Sequence, residues 1–119
     1  MTDNKEIKKI VKLIINLMQN KKAKDINILD VRTLTSLTDY FILCTSESTP
    51  QTKAIMDYIY KKLREVGWRP NNLEDTKTLE WVAMDCFSIV IHIFNKETRE
   101  YYQFERLWGD AKIKIIDEK

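Results

Sequence analysis

A single histidine and two cysteines are the side chains of this sequence best suited to nucleophilic chemistry. A catalytic triad would need His92 beside Cys44, Cys86 or a serine, with an acid to orient the imidazole. The sequence shows no such arrangement, because His92 alternates with Val90 and Phe94 along a strand-like run. This pattern is more typical of a surface or interface histidine than of a general base, and we expect no enzyme.

Metal and phosphate chemistry lack their usual ligands. The two cysteines stand in separate apolar runs without a CxxC pair. Zinc sites use about four thiolate or imidazole ligands, which two cysteines and one histidine do not supply. The chain has two glycines, too few for a glycine-rich phosphate loop. We therefore expect reduced, buried thiols and neither a metal nor a cofactor.

Three carboxylates, those of Asp30, Asp39 and Asp85, stand near the ends of expected strands. Polymerase-like enzymes hold paired metal ions with carboxylates in such places, so a nucleotidyltransferase-like enzyme using magnesium is one alternative. None of the three belongs to a close Asp-x-Asp or Asp-x-Glu pair. Carboxylates at turns more often bind backbone amides, and this second role is the one the pattern favours.

The first predicted helix carries four lysines that could contact phosphates, namely Lys5, Lys8, Lys9 and Lys12. A small RNA-binding domain is therefore a further alternative. The lysines fall between the apolar positions, as on the solvated face of any amphipathic helix. Because the net charge is only +2, the chain as a whole does not attract nucleic acid, and the pattern favours a solvated face.

Hydrophobic periodicity and capping residues predict the elements that position these groups. The predicted order is helix 3–20, strand 26–31, strand 40–45, helix 48–67, strands 81–84 and 89–94, a last helix 95–108 and a possible edge strand 113–116. This order predicts an α/β fold, a single mixed β-sheet of four to five strands with helices packed mainly on one face.

Length and composition predict one domain over residues 1–119. The hydrophobic fraction of 44% is enough to fill a core. No apolar stretch reaches the length of a bilayer span, and the first residues lack a secretory or transit pattern. We therefore expect a cytoplasmic protein with no membrane partner.

The last third of the chain is rich in aromatic residues and arginine, a composition typical of protein interfaces. Few helices are available, so part of one sheet face should be left uncovered. Val90, His92 and Phe94 would then form an exposed apolar patch. A basic partner would be favoured by four carboxylates nearby in sequence, those of Glu74, Asp75, Glu80 and Asp85.

Several strings follow one another along the chain: Leu29-Asp30-Val31, Thr38-Asp39-Tyr40-Phe41-Ile42, Val90-Ile91-His92-Ile93-Phe94 and Leu107-Trp108-Gly109-Asp110-Ala111. Trp81, Asp85, Arg99 and Tyr102 stand between them at matching positions. In order and spacing these residues resemble the ribosomal silencing factor family, also called RsfS or Iojap. The resemblance runs from about residue 5 to about residue 112, nearly the whole chain.

The resemblance implies a fold similar to the nucleotidyltransferase superfold without its catalytic residues. It implies a translation repressor that binds the large ribosomal subunit through its ribosomal protein fourteen, sterically blocks joining of the small subunit and lowers translation under nutrient limitation. It also implies a homodimer in the free state and no direct sequence-specific contact with nucleic acid. The partner-binding residues carried over from the family pattern are Trp81, Asp85, His92, Phe94, Arg99, Tyr102, Leu107 and Trp108.

The chain departs from the family pattern at three glycines, where it has Ser46, Asp75 and Phe87. The change at Phe87 bears on the predicted hairpin, because a positive φ is costly for phenylalanine. We therefore expect this hairpin to differ from that of the family in turn type or contact surface.

Overall fold

Four helices and six strands make up the computed structural model, which describes residues 4–117. In chain order they are α1 (Asn4–Asn20), β1 (Lys24–Asp30), β2 (Tyr40–Ser46), α2 (Thr49–Glu65), β3 (Asn72–Glu74), β4 (Trp81–Asp85), β5 (Ile89–Asn95), α3 (Lys96–Tyr102), α4 (Phe104–Leu107) and β6 (Lys112–Ile115). Among these described residues, no helix is both long enough and apolar enough to cross a bilayer.

The strands form one mixed sheet in the order β3-β4-β5-β2-β1-β6. The pair β2 and β5 is parallel, and the other neighbouring strands are antiparallel. The predicted mixed α/β sheet is confirmed, but the predicted count of four to five strands is wrong. The missed strand is β3, in which only Leu73 is apolar, so no hydrophobic pattern revealed it. It is a strand because its backbone pairs with β4.

One face of the sheet packs against α1 and α2 and contains the main core. The buried stripe of α1 consists of Ile7, Ile10, Val11, Ile14, Leu17 and Met18. At the start of α2, the N-cap Ser48 accepts a hydrogen bond from the backbone N–H of Gln51 at 3.1 Å. Gly67 follows the end of this helix with a φ of 82°. The caps read from the sequence therefore set both ends of α2.

The other face of the sheet is covered in part by α3 and α4. The side chain of Asn95 caps α3 and accepts a hydrogen bond from the N–H of Thr98 at 2.7 Å. The prediction of one last helix through residue 108 is wrong, because Gln103 adopts the left-handed conformation with a φ of 48° and ends α3. A separate short helix, α4, then begins at Phe104.

Phe104 covers the patch that was expected to be exposed. Its ring centroid lies 5.1 Å from that of Phe41 and 4.5 Å from that of His92. The expected exposure is wrong for two of its three residues, since Phe94 is fully buried and His92 is only 6% exposed. Val90 remains half-buried at the surface.

Two of the three positions at which the family pattern has glycine adopt a positive φ. Phe87 has a φ of 67° and Asp75 a φ of 56°. The carboxylate of Asp75 compensates locally, because it accepts hydrogen bonds from Thr78 Oγ1 at 2.7 Å and from the N–H of Trp81 at 3.3 Å. Ser46 lies within β2 and is buried. Of these two positions, Phe87 is the one whose own side chain makes no such compensating hydrogen bond, so its positive φ is costly.

Phe87→Gly is expected to raise the free energy of unfolding by about 1 kcal/mol, because glycine adopts a positive φ without the Cβ clash. Little burial is lost, since Phe87 is 64% exposed. Urea denaturation measures the change. The matched variant Asp75→Gly should instead lose stability, because it removes the hydrogen bonds with Thr78 and Trp81. A Phe87→Gly protein no more stable than the parent would contradict the assignment of strain.

Candidate functional site

A groove crosses the part of the sheet face that α3 and α4 leave open. It consists of two adjoining depressions of about 250 and 330 Å³, which share Glu74, Ala83 and His92. We call it the acidic groove, and its lining residues are Phe41, Asn72, Glu74, Asp75, Glu80, Trp81, Ala83, Asp85, Val90, His92, Thr98, Tyr102, Phe104 and Trp108. A shallow surface of this kind suits a segment of a protein partner better than an enclosed small molecule.

Strand register places the lining residues side by side. Glu74 of β3 pairs with Ala83 of β4, and Ala83 pairs with His92 of β5. The next row on the same face consists of Asn72, Asp85 and Val90. The small side chain of Ala83 leaves a low floor between Glu74 of β3 and the aromatic residues beneath α3 and α4.

The groove carries charge of one sign. Four carboxylates line it, those of Glu74, Asp75, Glu80 and Asp85, and its lining contains no lysine or arginine. A hydrogen bond from Thr78 lowers the pKa of the Asp75 carboxyl, which keeps that group ionised. A concave surface lined by one sign of charge attracts ligands of the opposite sign, so lysine- or arginine-rich segments fit this groove.

A hydrogen bond between Trp81 and His92 organises the aromatic wall. The indole Nε1–H of Trp81 donates to His92 Nδ1 at 2.9 Å, so the neutral ring carries its proton on Nε2. Burial lowers the pKa of His92 to about 3 and keeps the ring neutral at physiological pH. Within residues 4–117, the Nε2 of His92 has no hydrogen-bond partner.

Buried His92 predicts a loss of stability in mild acid. Its pKa is 6.5 in the unfolded chain and about 3 in the folded protein, so between these values the unfolded state binds more protons. Stability contributed by the neutral ring is complete above pH 6.5 and falls as the pH is lowered toward 3. The free energy of unfolding should fall by about 2 kcal/mol from pH 7 to pH 5, as measured by urea denaturation.

His92→Gln is the matched control for this pH dependence. Glutamine does not titrate, and its amide oxygen can accept the hydrogen bond from Trp81. The variant lacks this titration and should therefore lose about 2 kcal/mol less than the parent over the same pH range. The carboxyl groups of Asp30, Asp75 and Glu105 have lowered pKa values in the folded protein, and their ordinary pKa values are 3.8 to 4.5. They therefore contribute little to the pH dependence of stability above pH 5. Equal pH dependence in parent and variant would refute the role given to His92.

The structure brings five of the eight predicted partner-binding residues to the acidic groove. They are Trp81, Asp85, His92, Tyr102 and Trp108. Phe94 lies beneath the groove, fully buried, with its ring centroid 4.9 Å from that of Trp81. Arg99 and Leu107 lie outside the lining, and Leu107 is 74% exposed. Because Phe94 is buried against Trp81, it supports the wall of the groove by packing and does not itself line the surface.

Arg99 fastens α3 to the sheet. Its guanidinium donates to Glu105 at 2.7 Å and to Thr45 Oγ1 at 2.9 Å. Asn27 donates to the same Glu105 oxygen at 3.0 Å. Burial alone would raise the pKa of Glu105, but the hydrogen bond and charge of Arg99 outweigh burial, and the pKa is lowered. Arg99 thus holds in place the helices that wall the groove.

Sequence reasoning misses Asn72 and Ala83, which have no chemically distinctive side chain and reach the groove only through strand register. Asn72 lies in β3, the strand that hydrophobic periodicity does not reveal. The sequence signals that pointed to this part of the molecule were the cluster of four acidic residues and the aromatic residues of the last third of the chain.

The residues considered for other chemistry lie apart. Asp30 faces the α1 side of the sheet, where Arg32 binds it at 2.7 Å, whereas Asp85 lies in the acidic groove on the other side. Among the described residues, no three His, Cys, Asp or Glu side chains are grouped so as to hold a metal ion. Cys44 and Cys86 are buried, and burial raises the pKa of both thiols to about 12.

Fold and site together define a small mixed α/β domain with an acidic, aromatic-walled groove on one face of its sheet. Its residues 4–119 match the family model described as "Ribosomal silencing factor during starvation". The chain belongs to the ribosomal silencing factor (RsfS) family, which confirms the resemblance read from the sequence.

Known relatives agree with this membership. The ribosomal silencing factor RsfS of Bacillus subtilis is 34% identical over 110 residues, covering 92% of this chain and 93% of that protein. A crystal structure of a Chromobacterium violaceum protein has a TM-score of 0.85 and 38% identity, with 87% of each chain covered. A mouse protein named "Mitochondrial assembly of ribosomal large subunit protein 1" is 30% identical over 82% of this chain and 44% of its own length.

Proposed function

We propose that this protein is a non-enzymatic translation repressor that binds the large ribosomal subunit through its ribosomal protein fourteen. Bound there, it sterically blocks joining of the small subunit and lowers translation under nutrient limitation. The observation that carries the proposal is the acidic groove, because its charge suits a basic ribosomal protein. Membership of the silencing factor family supports a ribosomal partner, and the mouse relative's name refers to the large subunit.

The groove offers both charge and apolar area to such a partner. Rim carboxylates such as Glu74 and Asp85 can pair with lysine or arginine and speed the encounter. Half-buried Val90 and the aromatic side chains of Trp81 and Trp108 provide the central apolar contact that dominates most protein interfaces. Binding to ribosomal protein fourteen should therefore weaken as the salt concentration rises.

A steric block needs bulk and rigidity and no chemical turnover. The described residues form a body of 36 × 34 × 29 Å. Attractive contacts between protein atoms extend only about 4 Å, so a body of this thickness on the docking face of the large subunit would prevent contact with the small subunit. The packed sheet, with helices on both faces, supplies the rigidity.

In the free state we propose a cytoplasmic homodimer that has no membrane partner and makes no direct sequence-specific contact with nucleic acid. Tyr101 of α3 and Leu107 of α4 are 80% and 74% exposed, and they supply apolar surface that a second copy could bury. Sedimentation equilibrium over a range of protein concentrations tests the dimer, and a monomer at every concentration would exclude it.

Sucrose-gradient sedimentation with purified ribosomal subunits tests the main proposal. The protein should migrate with the large subunit alone and should reduce the amount of joined ribosomes as its concentration rises. A pull-down with isolated ribosomal protein fourteen tests the named contact directly. Failure to migrate with the large subunit, or joined ribosomes that stay at the same level, would overturn the repressor function.

A further inference from the structure

A second groove lies at the opposite edge of the sheet, away from the surface proposed to bind the ribosome. It runs between α1 and the strands β1 and β6 and has a volume of about 870 Å³. Six lysines line it, namely Lys5, Lys8, Lys9, Lys12, Lys112 and Lys114. We call it the basic groove.

The floor of the basic groove is aliphatic. Ile15 of α1, Ile28 of β1 and Ile116 line it and are only half-buried. Lys114 pairs with Ile28 across β6 and β1, and residues paired in this way share a face of the sheet. The lysines of β6 therefore stand beside exposed apolar surface, which is typical of an interaction site.

The charge of the basic groove is unbalanced. All six lysines are exposed, and none of them forms an ion pair within residues 4–117. The one acidic residue in the lining is Asp30, and its carboxylate is already bound by Arg32 through two hydrogen bonds of 3.0 and 2.7 Å. Asp30 also lies beside Lys112, so one carboxylate faces six lysines, and most of the positive charge in this lining is available to a ligand with several negative charges.

Although the net charge is only +2, acidic and basic side chains are concentrated in different grooves of the molecule. The acidic groove lies at the β3 edge of the sheet, and the basic groove lies at the β6 edge. A basic partner bound at the first edge would leave the second edge accessible. The two grooves therefore suit two different partners.

We propose that the basic groove binds an acidic amphipathic peptide segment of a partner protein, in which aliphatic side chains are flanked by aspartate or glutamate. The aliphatic side chains would cover the floor formed by Ile15, Ile28 and Ile116, and the carboxylates would pair with the lysines at the rim. This surface is distinct from the one proposed to bind ribosomal protein fourteen.

The composition of the groove favours a peptide over nucleic acid. Single-stranded nucleic acid binds on aromatic stacking platforms, whereas Tyr40 is the one aromatic residue in this lining. The lining also contains no arginine, the side chain best suited to paired contacts with phosphate. A phosphate backbone would leave the aliphatic floor in water. The lysines of β6 would repel a basic segment or the same edge of a second copy.

Fluorescence anisotropy with the complete chain, without ribosomes, tests the proposal. The probe is a fluorescein-labelled peptide with leucine at i, i+3, i+4 and i+7 and glutamate at most other positions. Its matched control has lysine in place of every glutamate. The glutamate peptide should bind saturably and the lysine peptide should not. The triple variant Lys8→Gln/Lys12→Gln/Lys114→Gln should raise the Kd by about tenfold, the sum of three rim ion pairs.

Two controls separate the groove from general charge and from other ligands. Lys61→Gln/Lys77→Gln removes two exposed lysines outside the groove and should leave the Kd unchanged. Ile28→Thr keeps a strand-forming residue but weakens the floor, so it should raise the Kd even at high salt. No saturable binding of the glutamate peptide would overturn the proposal. So would tighter competing binding of polyuridine RNA or of phosphatidylglycerol vesicles.

Discussion

Ala83→Arg should abolish binding to the large ribosomal subunit while the fold remains intact. Ala83 lies at the centre of the acidic groove, between Glu74 and His92 in the strand register. A long cationic side chain there would fill the floor and neutralise neighbouring carboxylates. We expect a loss of affinity of about a hundredfold or more, near 3 kcal/mol, as for the central residues of other interfaces. Co-sedimentation with the large subunit measures the loss.

Ala54→Arg is the matched control, because it makes the same change at an exposed position of α2 on the other side of the sheet. Glu74→Lys reverses a rim charge on an exposed residue and keeps the test decisive if Ala83→Arg proves unstable. Full binding by a folded Ala83→Arg or Glu74→Lys protein would show that ribosomal protein fourteen does not occupy the acidic groove. Circular dichroism and thermal unfolding establish that each variant is folded.

Phe94→Ala should lower the free energy of unfolding by about 3 to 5 kcal/mol, the usual range for a fully buried phenylalanine. Phe94 is 0% exposed. Its ring centroid lies 4.9 Å from that of Trp81 and 6.1 Å from that of Phe104. The cavity left by the phenyl ring would therefore weaken the packing of Trp81 in the groove wall and of Phe104 in α4. Urea denaturation measures the loss, which is a large fraction of the stability of a typical domain.

Leu107→Ala serves as the control for Phe94→Ala, because Leu107 is 74% exposed and its truncation should change stability by no more than about 0.5 kcal/mol. If Phe94→Ala cost less than about 1 kcal/mol, Phe94 would not be central to the packing beneath the acidic groove. Phe94 and Leu107 were both predicted to bind the partner. A large loss of stability for Phe94→Ala and a small one for Leu107→Ala would show that Phe94 has a packing role that Leu107 lacks.

The local elements of the fold were predictable because their signals are local. The apolar stripe of α1 and the caps Ser48 and Asn95 are read within a few residues of sequence. The edge strand β6 was also anticipated, as a possible short strand over 113–116. In these segments, each residue's preference agrees with its position in the fold.

Two features of the fold depend on distant contacts and were missed. Gln103 is an ordinary helix-forming residue, yet it is left-handed where α3 ends. The Arg99–Glu105 ion pair spans this break and links α3 to α4. Arg99 also donates a hydrogen bond to Thr45 of β2, and Phe104 packs on Phe41 of the same strand. The other feature, β3, exists through pairing with β4. Sequence windows of a few residues do not contain such information.

By itself, the sequence determined the family, the α/β class, the order of most elements and the supply of acidic, basic and aromatic side chains. The tertiary structure alone decided that His92 and Phe94 are buried, that Ala83 and Asn72 join the site, and that charge separates into grooves at opposite edges. The reason is physical. Element formation follows local periodicity, whereas burial and juxtaposition follow strand register and long-range packing, which set which side chains share a surface.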